Sequence, residues 1–221
     1  AVGLVKVPDD VSLAIAALVG CSVMTGYGAV VNTAKVVPGS TVAVVGAGGV
    51  GLNIIQTARL AGASRIIAVD MVEHKLATAK KFGATDTVNA GEGDPVAAVQ
   101  KLTGGGVDFA FEAIGLKVTS EQAYNMAGRG GTAVIVGMVP PMDQISISGM
   151  IWLQEKTLKG SFYGSARFHT DMPNILELYR QKKLDLDSLV TRRYKLDEIN
   201  EAFDALKKGE VARSVLTIGK E

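Results

Sequence analysis

Three groups of residues in this chain have types and spacings that could do chemistry. Gly46, Gly48 and Gly51, with Gly49 and Val50 between the last two, form a G-x-G-x-x-G. Gly46 permits a tight turn, Gly48 lets backbone N–H groups approach a pyrophosphate, and Gly51 lets a helix lie close to the preceding strand. A helix starting there turns its unpaired N–H groups and its dipole toward the anion. Asp70 follows Gly51 by 19 positions. An acid about 20 residues on hydrogen-bonds the adenosine ribose and repels a 2′-phosphate, which favours NAD over NADP. Cys21, the only cysteine, lies in "LVGCSVMTGYG". It could pack, attack a substrate or hold a metal. A nucleophilic role needs a nearby base or cation, and neither histidine, His74 or His169, falls within fifty residues of it.

The elements around the glycines give them meaning. "STVAVV" reads as a strand before the turn, and "GLNIIQTARL" as an amphipathic helix after it. Continuous Val/Ile runs at Thr41–Val45 and Arg65–Val69 suit parallel strands covered on both faces. The alternation continues: a helix over 73–84 stopping near Gly83, a strand over 85–90, and a helix over 94–106 with Pro95 in its first turn. A strand over 107–115, a helix over 118–131 and a strand over 132–138 follow. "QISISG" and "TLKGSFYG" read as strands flanking "MIWLQEK". The rhythm predicts βαβ units in a doubly wound parallel sheet, an α/β Rossmann arrangement. Ahead of it, Asp9 and Asp10 cap a helix over 11–20 that Gly20 stops, and a second short helix ends before Pro38-Gly39. Past about residue 165, "HTDMPNILELYRQKKLDL" and "LDEINEAFDALKKGE" are amphipathic helices, and "SVLTIG" is a closing strand.

The composition narrows the classes. Apolar residues are 48% of 221, enough for a sizeable core, and the net charge is +1. No basic block points to nucleic acid. The longest uninterrupted apolar runs, such as "AIAALVG", are short of a membrane span. One cysteine leaves no intrachain disulfide and fits a reducing, cytoplasmic compartment. The opening "AVGLVKVPDD", with neither initiator Met nor signal peptide, reads as entry into the middle of a longer protein.

Taken in order, "GCSVMTGYGAVVNTAKV", "GSTVAVVGAGGVGL", "RIIAVD", "KFGATDTVN", "GGVDFAFEAIG", "VIVG" and "GEVARSVLTIG" resemble the coenzyme-binding half of zinc-containing, medium-chain alcohol dehydrogenases. The resemblance covers essentially the whole chain. It implies an NAD-binding Rossmann domain over 23–163, flanked by remnants of a catalytic domain at 1–22 and 164–221. It places Thr25 and Val50 against the nicotinamide, Asp70 and Lys75 on the adenosine ribose, and Ile114 in the adenine wall. Backbone groups of Val136 and Met138 would meet the carboxamide, with a further backbone contact at Tyr163, and Arg213 would approach the pyrophosphate. Cys21 matches one of three protein ligands of a catalytic zinc, the others lying in an N-terminal domain absent here. The implied reaction is hydride transfer between an alcohol or aldehyde and NAD, with this fragment expected inactive alone. The resemblance also implies a homodimer through an edge strand at 157–164. Met138, Trp152 and Phe162 are expected in apolar core or at the border of the substrate pocket.

Other readings compete. Short-chain dehydrogenases use Tyr-x-x-x-Lys, and Tyr179 and Lys183, with Ser165 upstream, have that spacing. Their glycine turn, T-G-x-x-x-G-x-G, differs from "VVGAGGVGL", and a pair one helical turn apart arises readily by chance. FAD domains with this turn usually begin at a chain terminus, whereas here 40 residues come first. A zinc-free quinone oxidoreductase shares the fold but lacks Cys21. A non-catalytic dinucleotide-binding module fits the incomplete metal shell.

Overall fold

The computed structural model describes residues 3–218, apart from the side chains of residues 151 and 152. Six strands, β1 (Thr41–Val45), β2 (Arg65–Asp70), β3 (Asp86–Asn89), β4 (Val107–Glu112), β5 (Ala127–Ile135) and β6 (Thr157–Gly160), form one parallel sheet. Their order is β3-β2-β1-β4-β5-β6. This is the expected doubly wound sheet. The chain direction across it reverses between β1 and β4, which opens a crevice at their C-terminal ends.

The period of two along each strand sorts its side chains into two layers. Val42, Val44, Ile66, Ala68 and Phe111 enter one core with the helices α1 (Leu13–Ala34), α2 (Gly49–Leu60) and α3 (Glu73–Phe82). Ala43, Val45, Ile67, Val69 and Ala110 enter the other with α4 (Pro95–Thr103) and α5 (Lys117–Met126). The start of α4 is as expected: Asp94 accepts from Val96 N at 2.9 Å, with Pro95 beside it. The tail adds α6 (Phe168–Arg180), whose Ile175 and Leu176 join the first core, then β7 (Val190–Lys195), α7 (Ile199–Lys207) and β8 (Arg213–Thr217). β7 and β8 pair in parallel as a separate two-stranded sheet.

Several expectations need correction. Gly20 stops nothing: α1 runs unbroken from Leu13 to Ala34, through turns widened to π geometry at Val19–Val23 and Ala29–Ala34. Burial of Ile15, Leu18, Val23, Met24 and Val30 outweighs the weak helix propensity of its glycines. The helix ends at Lys35, in left-handed conformation (φ 59°). It is long and apolar enough to cross a membrane, which the short uninterrupted runs do not reveal, yet 67% of its apolar window is buried inside the fold. It is a core helix. Gly28 has a separate use, since a side chain there would overlap the Gly164 carbonyl.

"QISISG" is not a strand. Its backbone is tied to α5, with Lys117 Nζ donating to Gln144 O at 2.6 Å and Ser146 N donating to Glu121 at 2.8 Å. The edge strand is shorter than 157–164. It ends at Gly160, and the chain then bends through Tyr163–Ser165 with Gly164 at φ 68°. β7 was not expected, because "VTRRYK" is mostly polar; only Tyr194 of it is buried.

Candidate functional site

The glycine turn is held by geometry that tolerates little else. Gly46 adopts φ 98°, and a side chain there would come within 2.6 Å of Ile114 Cγ1. A side chain at Gly51 would overlap the Gly46 carbonyl, so α2 can rest on the end of β1 only without one. Gly48 has open space around it, and its own carbonyl accepts from Leu52 N at 2.8 Å, starting the helix. The turn is further pinned by Gly46 N donating to Val69 O at 2.8 Å.

Asp70 ends β2 beside this turn. Its Oδ2 accepts from Ala47 N at 2.8 Å and its Oδ1 from Val72 N at 3.0 Å. The acid is therefore aimed by two backbone donors before any ribose arrives. Lys75, half-buried on α3, brings Nζ against Gly209. Together with His74, Gly48 and Glu210 it lines a cleft of about 290 Å³ between α3 and the tail.

Arg213 is the decisive cation. It is the first residue of β8, yet its guanidinium lies directly over Gly49, so that any side chain at Gly49 would overlap it. Its Nε is buried with no hydrogen-bond partner among the described residues. Burial pulls its pKa below the usual arginine value, with nearby Cys21 pushing it back up. A half-buried arginine with an unused Nε donor at the N-terminus of α2 fits a pyrophosphate. The residues present at this turn therefore fit the pyrophosphate of a dinucleotide.

The other expected contacts sit around the crevice. Ile114 is partly exposed against Gly46, Val50 is half-buried at the start of α2, and Thr25 is half-buried on α1. Val136 N donates to Glu112 O at 2.9 Å. The backbone of Met138 packs against Gly115, whose φ is 95°. Tyr163 lies at φ 52°, with its hydroxyl donating to Gly20 O, and burial followed by the Cys21 neighbour raises its pKa. Met138 and Phe162 are 89% and 91% exposed, so neither is core. The side chain of Trp152 lies outside the described residues.

Cys21 is exposed and unpaired. It lines a cleft of about 350 Å³ with Ala17, Leu18, Ser22, Arg213 and Ser214 among its walls, and no carboxylate or imidazole enters it. No group of three His, Cys, Asp or Glu among the described residues could hold a metal. His74 faces the separate cleft beside Lys75, and His169 is exposed at the start of α6. The described residues do not by themselves fit a zinc ion.

The Tyr179–Lys183 pair fails as a proton-transfer device. α6 ends at Arg180, and Lys182 turns to φ 56°, so Lys183 does not follow on the same helix. The Tyr179 hydroxyl donates to Asp187 at 3.1 and 3.2 Å, and burial and that acid push its pKa up rather than down. Ser165 is engaged with Thr33 at 2.9 Å.

A sequence profile of the zinc-binding dehydrogenases matches residues 49–181. The chain belongs to that family. Alcohol dehydrogenase 2 of Zea mays is 43% identical over 216 residues, covering 96% of this chain and 57% of the relative. Alcohol dehydrogenase 1 of Pisum sativum is 42% identical over 214 residues, covering 96% and 56%. Among solved structures, benzyl alcohol dehydrogenase from Acinetobacter calcoaceticus superposes with a TM-score of 0.94 at 38% identity, covering 97% of this chain and 59% of that one. The chain thus spans little more than half the length of its relatives. Within this zinc-binding dehydrogenase chain one residue escapes the motif reading. Glu112 is fully buried at the end of β4, and its only sequence signal is an acid closing an apolar strand.

Proposed function

We propose that this chain binds NAD and forms the coenzyme half of an alcohol dehydrogenase acting on alcohols or aldehydes. The observation that carries the reading is the buried, unpartnered Nε of Arg213 over Gly49. Bound NAD would supply the hydride acceptor at its nicotinamide ring. The backbone of Gly46–Gly51 would receive the pyrophosphate, with Arg213 countering its charge. Asp70 and Lys75 would hold the adenosine ribose, and Ile114 would wall the adenine. Thr25 and Val50 would shield the nicotinamide, while Val136, Met138 and Tyr163 would offer it backbone groups. Cys21 would serve a catalytic zinc only with ligands from outside these residues.

The short edge strand β6, near exposed Met150, Leu153 and Phe162, supports a homodimer built across that edge. The bare walls of the Cys21 cleft favour a second reading, a dinucleotide-binding module without chemistry of its own. Titration of the chain with NADH is expected to enhance nicotinamide fluorescence with no turnover of primary or secondary alcohols. Absence of binding overturns the coenzyme reading. Turnover overturns the inactivity of these 221 residues alone. In a longer protein that includes them, alcohol oxidation separates the enzyme from the module.

A further inference from the structure

Glu112 stands where the strand order reverses, with its side chain wholly buried. Its Oε1 accepts three hydrogen bonds, from Ile114 N at 2.9 Å, Gly115 N at 2.6 Å and Thr119 Oγ1 at 2.8 Å. Its backbone carbonyl accepts from Val136 N at 2.9 Å and Gly137 N at 3.1 Å. One residue therefore grips two segments. The first carries Ile114, packed on the glycine turn, and the second carries Val136 and Met138. The segments also touch directly, since a side chain at Gly115 would fall 2.7 Å from Met138 O. Oε2 is buried with no hydrogen-bond partner among the described residues, and a side chain at Gly137 would come within 2.5 Å of it.

Burying a carboxyl group with half its acceptor capacity unused costs free energy that an apolar residue would not. The compensation visible here is at Ile114 and Gly115, whose N–H groups would otherwise be orphaned beside the crevice. We propose that Glu112 is a positioning residue for the dinucleotide, holding the adenine-side wall at Ile114 in register with the carboxamide-side backbone at Val136–Met138. The proposal rests on the NAD reading above.

The test uses the whole chain, titrated with NADH and separately with AMP, which reaches only the adenine end. Glu112→Ala is expected to weaken NADH and AMP binding alike, each at least tenfold. The variant loses the acceptor of Ile114 N, Gly115 N and Thr119 Oγ1 on the adenine side and keeps the backbone carbonyl that holds Val136 and Gly137. Ile114→Ala is expected to weaken both ligands by the same factor. Glu112→Gln keeps an acceptor for the three donors and is expected to restore NADH binding to within threefold of the parent. A purely structural residue would lower the melting temperature and leave the affinity of the folded protein unchanged. Unchanged affinity for either ligand in folded Glu112→Ala, or no rescue by glutamine, overturns the proposal. Should Glu112→Ala not fold, Thr119→Val removes one of the three donors to Oε1 instead, and there a loss of affinity for both NADH and AMP must appear or the proposal fails. If the unsubstituted chain binds NADH while the variants contradict this pattern, only the role of Glu112 falls. If it binds none, the coenzyme reading itself has failed and the role of Glu112 falls with it.

Discussion

The glycine turn and the Cys21 cleft both border Arg213, yet they are built to different degrees of completeness. Residues of β1, β2, α2 and β8 converge on the turn, and each has a geometry that few alternatives satisfy. The cleft offers one exposed thiol, small side chains and hydroxyls. The fold in hand thus completes the glycine turn on which the proposed coenzyme site rests. A metal at Cys21 would need ligands beyond those that the described residues bring there.

The contrast can be broken at its strongest point. Gly51→Ala places a methyl group into the Gly46 carbonyl, so α2 must leave β1. A loss of about 3 kcal/mol in urea unfolding is expected, with NADH binding abolished; retention of both would show that the turn is not under this constraint. Arg213→Met separates binding from stability. Its Nε is buried and unpartnered among the described residues, so the variant is expected to melt no lower than the parent. Calorimetric titration should nevertheless show NADH affinity down by about 1.5–3 kcal/mol. Lower melting with unchanged affinity would make Arg213 a structural residue and erase the contrast.

Smaller effects sharpen it. Asp70→Asn keeps an acceptor for Ala47 N while removing the charge. The affinity ratio of NADPH to NADH is expected to rise about tenfold, equivalent to about 1.4 kcal/mol; an unmoved ratio would deny Asp70 its part in discrimination. Outside both regions, Asp86 is held at a pKa of about 2 by hydrogen bonds from Arg65, at 2.8 and 2.9 Å, and from Thr85. A depressed folded-state pKa gives stability that is present above the ordinary value near 4 and is lost as pH falls from there toward 2. Melting temperatures across that window should fall less steeply in Asp86→Asn than in the parent. Cys21→Ser is expected to change least, leaving NADH affinity within about twofold and stability within about 0.5 kcal/mol. A large loss would mean that the cleft already contributes to coenzyme binding.

What the amino-acid order reveals follows the range of the forces involved. Gly46–Gly51, the apolar strand before them and Asp70 are local signals, because turn, strand and helix periods are all written within thirty residues. They emerge as expected. Arg213 has no local signal, since more than 160 residues separate it from Gly49, and only the family resemblance placed it there. Gly20 reads as a stop because propensity is local, whereas the burial that carries α1 past it is contributed by α2 and α6. Glu112 is hidden for the same reason. Its donors lie two to seven residues ahead, but its value comes from β5, which its carbonyl holds alongside.

The continuity of α1 makes it a ruler. Cys21 and Thr25 are four residues apart on one unbroken helix, about 6 Å along its axis. Many changes of side chain are tolerable on such a rod, but a change of length is not. One residue inserted between them would swing Cys21 by about 100° around the axis and carry it away from Arg213 while Thr25 stayed in place. Substitution there is limited by Val23 and Met24, which face the core, whereas a change of length would also alter the spacing between the thiol and Thr25.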